Sequence, residues 1–217
     1  MFDIRLDDLS RLESEIEEFE REQVETGKIL FYGSSMFTRW SSKWGHRELS
    51  EDIPGAVNHG FGSSTAEELL YFYPRAVRPF KPRVLVLRVC NNDIGFGYSP
   101  AEIFFLLQRV IAYARKDMPG IKFLLCSSHV TPSAKSSQST PRFLAQYGEL
   151  LATYCAKHDD CAYFDEAAIP ELYDSPEHVG QREHLRTELY VEDMLHFNQD
   201  GYDIYKKHIL NALKDYL

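Results

Sequence analysis

Apolar runs alternate with segments of helical spacing through most of this 217-residue chain, and that order restricts the fold more than any other feature. "KILFYG", "GAVNHG", "RVLVLRVC", "IKFLLCSS" and "CAYFD" are short and apolar, as buried strands are. Between and after them lie "STAEELLYFYPRAV", "SPAEIFFLLQRVIAYARKDMPG", "TPRFLAQYGELLATYCAKH" and "DGYDIYKKHILNALKDYL". The first carries a hydroxyl cap three residues before a Glu, and the second has Ser-Pro at its head and Pro-Gly at its tail, so both are predicted helices. Leu9, Leu12, Ile16 and Phe19 recur at helical spacing between Asp7 and Glu25, which predicts an amphipathic helix at the start. The alternation calls for a doubly wound α/β fold: a five-stranded, mostly parallel sheet with helices on both faces. A single domain over residues 1–217 is expected, with the amphipathic helix of residues 1–27 packed on it.

Composition excludes several classes. A net charge of -9 argues against nucleic acid or an anionic membrane as partner. No apolar run approaches the ~18 residues of a membrane span, and the acidic start lacks the basic and apolar regions of a signal peptide. Cys90, Cys126, Cys155 and Cys161 show no C-x-x-C pairing, which fits free thiols and a cytoplasmic location. Eight histidines show no metal-binding spacing, so no metal is expected. The polar stretch from Glu171 to Arg186, with His178 and His184, is expected as a long loop.

In doubly wound folds, sites form where loops leave the carboxyl ends of strands. Gly33-Ser34-Ser35 follows the first strand, "NHGFGSST" the second and "CNNDIGFG" the third. "SSHVTPSAKSSQST" follows the fourth as a polar loop. Asp193 and His196 stand three apart just before the closing helix, on one side of a single turn. A carboxylate there can fix the imidazole tautomer and leave Nε2 free to take a proton from a serine. An asparagine amide and glycine-loop N–H groups can hold an oxyanion. His59 and His129 are expected as polar loop residues, and Tyr32, Phe37 and Trp40 as core.

In order, these blocks resemble those of the SGNH (GDSL-type) hydrolases. "GKILFYGSSMFTRW", "VNHGFGSST", "YPRAVRPFKPRVLVL...NNDI" and "EDMLHFNQDGYDIY" resemble bacterial GDSL-like acylhydrolases along nearly the whole chain. The resemblance implies a flavodoxin-like three-layer fold, no cofactor, and a small-molecule ester as partner. It implies Ser35 as nucleophile with Asp193 and His196 as acid and base. Ser35 N–H, Ser63 N–H (Gly62 as the alternative) and the Asn92 amide would form the oxyanion hole. It further implies a serine esterase acting on small soluble short-chain acyl or acetyl esters, carbohydrate esters included. Three positions depart from the family pattern. Ser34 stands for the usual Asp. Ser63 and Cys90 stand for glycines; a side chain at Cys90 would have room to crowd the pocket beside Asn92, but a buried strand-end cysteine is the expected reading. A ligand-binding or regulatory module that keeps the fold without turnover is the alternative.

Overall fold

The computed structural model describes residues 6, 8–23, 25–133 and 140–216. Asp7, where the first helix is expected to begin, and residues 134–139 of the polar loop after the fourth strand lie outside them. Five parallel strands form one sheet in the order β2-β1-β3-β4-β5: β1 (Ile29–Gly33), β2 (Ala56–Gly60), β3 (Val84–Arg88), β4 (Lys122–Cys126) and β5 (Cys161–Phe164). β1 and β3 are buried at every position, as expected of strands covered on both faces.

The helices are α1 (Glu13–Arg21), α2 (Ser35–Thr38), α3 (Leu49–Asp52), α4 (Ala66–Ala76), α5 (Asn91–Gly95), α6 (Pro100–Asp117), α7 (Pro141–Cys155) and α8 (Gln199–Leu213). Reciprocal capping boxes open α4 (Thr65 with Glu68) and α6 (Ser99 with Glu102). α6 packs against α4 on one side and α7 on the other, so the three lie side by side. The β1–β2 connection and α8 meet where Trp40 stacks on Tyr202 of α8 at 5.2 Å between centroids. Tyr32, Phe37 and Trp40 are core, all fully buried.

The first helix is shorter than its spacing suggests. Asp8 Oδ1 accepts from Ser10 N at 2.8 Å, and this side-chain bond holds a turn where helix was expected. At the other end Glu22 is extended, so α1 spans only Glu13–Arg21. Its apolar stripe of Leu12, Ile16 and Phe19 is buried against the domain.

Register aligns the strand ends. Gly33 lies level with Gly60 of β2 and with Arg88 of β3, so three loops leave the sheet together. The two glycines permit close approach of α2. A Cβ at Gly33 would meet the Arg88 carbonyl, and one at Gly60 would meet the Thr38 backbone nitrogen.

Candidate active site

Ser35 is the first residue of α2, directly beyond the end of β1, and is half-buried. Ser34 precedes it as an extended residue and is buried; its carbonyl accepts from Phe37 N and Thr38 N. Asp193 and His196 come from the far end of the chain. Val191 N donates to the His196 carbonyl at 2.9 Å, and Tyr190 bridges Phe197, so the turn between them is closed by backbone bonds. That turn delivers His196 Nε2 to 2.8 Å from Ser35 Oγ. His196 Nδ1 lies 2.7 Å from Asp193 Oδ2. With Nδ1–H donating to the carboxylate, Nε2 is left to accept from the serine hydroxyl.

The electrostatics suit that arrangement. Burial pushes the Asp193 carboxyl up, but the N–H of His196, the His196 ring and the N–H of Leu195 outweigh it and hold it at about 2. Those two N–H groups donate to Oδ1 at 3.0 and 2.9 Å. Burial lowers the His196 imidazole below its usual value, Asp193 opposes the shift, and the Arg39 and Arg88 cations add to it. The ring is therefore neutral at pH 7 and able to accept a proton.

Of the expected oxyanion donors, Ser35 and Asn92 line the hollow beside His196, whereas Ser63 and Gly62 do not. Neither Ser35 N–H nor Ser63 N–H has an acceptor among the described residues. Gly62 N–H, by contrast, donates to Glu15 Oε1 of α1 at 3.3 Å, which favours Ser63 over Gly62 as the loop's free donor. Ser63 holds the left-handed conformation, φ 61°, that a glycine takes without cost. Its carbonyl is pinned by Arg11 Nη2 at 2.7 Å. Asn92 Nδ2 donates to the Ser64 carbonyl at 2.9 Å, tying the third loop to the second; its second amide hydrogen remains for the hollow that Asn92 lines. Asp93 is buried behind them and accepts from Ala66 N at the head of α4 at 2.7 Å.

Ser35, Asn92 and His196 face one small hollow with Ser34, Arg88 and Asn91. Its volume is about 20 Å³, room for roughly one water-sized group. A larger cavity of about 430 Å³ lies instead beside α7, between Leu144, Tyr163 and Tyr173. It holds none of the convergent groups, so chemistry rather than volume locates the site. Cys90 is the buried strand-end residue expected of it and does not line the hollow. Burial pushes its thiol up. Its φ of 151° lies in the region that favours glycine.

Two histidines differ from expectation. His59 is fully buried between Phe19, on which it stacks at 4.2 Å, and the Ala76 carbonyl, 2.7 Å from Nδ1. His129 is fully buried on Phe197, its Nδ1 3.2 Å from Glu166 Oε2. Both find polar partners inside the protein, which is what lets them leave water.

Two further groups escape sequence reasoning. Arg39 Nη1 donates to Asp193 Oδ2 at 2.8 Å, sharing the oxygen that faces His196. The signal was its i,i+4 spacing from Ser35, which puts both on one side of the turn. Arg88 ends β3 in the wall of the hollow and makes a two-pronged pair with Glu166, Nε to Oε1 at 2.7 Å and Nη2 to Oε2 at 2.9 Å. A charged residue closing an apolar strand hints at a buried partner; which carboxylate serves is set by tertiary structure.

A family model described as the GDSL-like lipase/acylhydrolase family matches residues 31–204. No curated protein matches the sequence. Among solved structures, a GDSL-like lipase from Bacteroides thetaiotaomicron superposes with a TM-score of 0.74 at 16% identity, covering 97% of this chain and 100% of its own. A protein assigned as an acylhydrolase from Bacteroides fragilis gives 0.75 at 17%, covering 97% and 99%. A Geobacillus acetyl-xylooligosaccharide esterase gives 0.62 at 14%, covering 88% and 96%. At these identities the likeness is one of fold.

Proposed function

This chain belongs to the GDSL-like lipase/acylhydrolase family, and from that premise we propose that it is a serine esterase working through Ser35, His196 and Asp193. The observation that carries the reading is the unbroken chain from Ser35 Oγ through His196 to Asp193, at 2.8 and 2.7 Å, with the Ser35 N–H lacking an acceptor among the described residues. Ser35 Oγ attacks the ester carbonyl as its proton passes to His196 Nε2. The N–H groups of Ser35 and Ser63 and the Asn92 amide hold the tetrahedral oxyanion. The imidazolium, steadied by Asp193, returns the proton to the departing alcohol. Water, deprotonated by His196, then attacks the acyl-enzyme and releases the acid.

A hollow this small favours a short acyl group over a long one. Acetylated carbohydrate is the substrate class proposed, supported by the likeness to an acetyl-xylooligosaccharide esterase. Four free cysteines support a cytoplasmic setting.

The test is hydrolysis of p-nitrophenyl acetate against the octanoate, with labelling by a fluorophosphonate. Acetate is expected to turn over faster, and Ser35→Ala to abolish both turnover and labelling. Ser34→Ala should be mild. Near-normal activity in Ser35→Ala would sink the mechanism. No turnover and no labelling of the native chain would favour a binding module.

A further inference from the structure

We propose that Asp174, His178 and His184 form a surface site for a borderline divalent cation of the zinc class, independent of the esterase reading. The three side chains sit on the segment between β5 and the Asp193–His196 turn. Each offers one ligand atom, and these atoms all lie within 4.8 Å of one another. His178 Nδ1 is 2.5 Å from Asp174 Oδ1, and His184 Nδ1 is 3.0 Å from Asp174 Oδ2. The two imidazoles stack at 3.5 Å between centroids, with 18° between planes. Both rings thus turn the same nitrogen towards one carboxylate.

The backbone holds this cluster together before any ion arrives. Asp174 N donates to the His184 carbonyl at 3.0 Å, and Tyr173 bridges Leu185 in an antiparallel pair, which places two ligands across one closed loop. His178 N donates to the Ser175 carbonyl at 3.0 Å, Gln181 N to the His178 carbonyl at 3.0 Å, and His184 N to the Gln181 carbonyl at 3.2 Å. Pro176 opens the turn that carries His178 and fixes its φ. Main-chain bonds therefore fix where the three ligand-bearing residues sit; the stacked rings point their in-plane Nδ1 lone pairs side by side, so one imidazole turns about its side-chain torsions to share the ion.

The donor set names the ion. Two imidazole nitrogens and one carboxylate oxygen suit Zn²⁺ better than the all-oxygen shells of Mg²⁺ or Ca²⁺. Each neutral imidazole would keep its proton on Nε2 and give its Nδ1 lone pair. All three side chains are partly exposed, which leaves a route for the ion and a position for water. A bound ion would staple the loop leading into the turn that carries Asp193 and His196.

The experiment uses the full chain, untagged and freed of metal by a chelator, titrated calorimetrically with Zn²⁺. One equivalent is expected to bind and to raise the melting temperature. The double variant His178→Ala/His184→Ala should bind at least about tenfold more weakly and lose the thermal shift. Asp174→Asn should weaken binding while keeping the native melt in chelator. Co²⁺ in place of Zn²⁺ should give visible bands of nitrogen and oxygen ligation. No saturable binding at a several-fold excess of zinc would overturn the proposal. So would binding unchanged in the double variant, or a thiolate-to-cobalt charge-transfer band that puts the metal on Cys155 or Cys161.

Discussion

Replacing Glu166 by Gln tests the buried pair under the candidate site. Glu166 is fully buried and accepts from Arg88 Nε and Nη2 and from Tyr205 OH, the last at 2.7 Å, with His129 Nδ1 3.2 Å away. Burial pushes its carboxyl up, but the Arg88 guanidinium and His129 outweigh this and hold it at about 2, against an ordinary 4.5. A carboxyl so lowered contributes stability that is fully present above pH 4.5 and is lost as pH falls through about 2. The shift corresponds to about 3 kcal/mol. Leaving a buried charge without its partner independently costs about 3–5 kcal/mol. Glu166→Gln keeps the volume and removes the charge, so Arg88 is left buried and uncompensated. At pH 7 the variant should lose about 3 kcal/mol and melt roughly 6–12 °C lower. Urea titrations at a series of pH values read the effect directly. The stability gap between wild type and variant should be widest at neutral pH and narrow below pH 4.5 as the wild type loses its own contribution. A loss under about 1 kcal/mol at pH 7, or a gap that does not change with pH, would refute the reasoning.

Three further outcomes follow from the same geometry. The neutral His196 imidazole accepts the proton, and its pKa lies below 6.5, so the acid limb of kcat/KM should inflect below that pH; Arg39→Ala removes a cation that lowers it and should move the limb upward in a pH–rate series. Asn92→Ala should cost ~10²–10³ in kcat with an unchanged circular dichroism spectrum, because one oxyanion donor is lost. Ser63→Gly keeps the backbone N–H and relieves a left-handed serine, so scanning calorimetry should show a gain of about 0.5 kcal/mol after the entropy cost of glycine, with turnover preserved. A melt below wild type would count against that account of Ser63.

Strand–helix alternation was legible because the hydrophobic periods are local. "RVLVLRVC" and the Ser99 and Thr65 capping boxes carry their own evidence within a few residues. Helix ends were less legible. The first turn of the expected N-terminal helix gave way to a side-chain bond at Ser10, a competition that spacing cannot weigh. Burial of His59 and His129 was hidden for a related reason: an imidazole enters the core only when distant partners satisfy it, here the Ala76 carbonyl and Glu166.

For this protein, sequence alone determined the order of strands and helices, because those periods are local; local pattern marked the Ser34-Ser35, Asn91-Asn92 and Asp193/His196 positions, and the resemblance to the family singled out Ser35 and Asn92 among them. Tertiary structure alone decided the rest. Parallel register set Gly33, Gly60 and Arg88 level, so loops far apart in the chain open at one rim. It engaged Gly62 with Glu15 and left Ser63 N–H without an acceptor among the described residues. It also gathered Asp174, His178 and His184 around one point although their spacing matches no metal motif. Distances of this kind depend on how whole layers pack, and no local pattern in the chain encodes them.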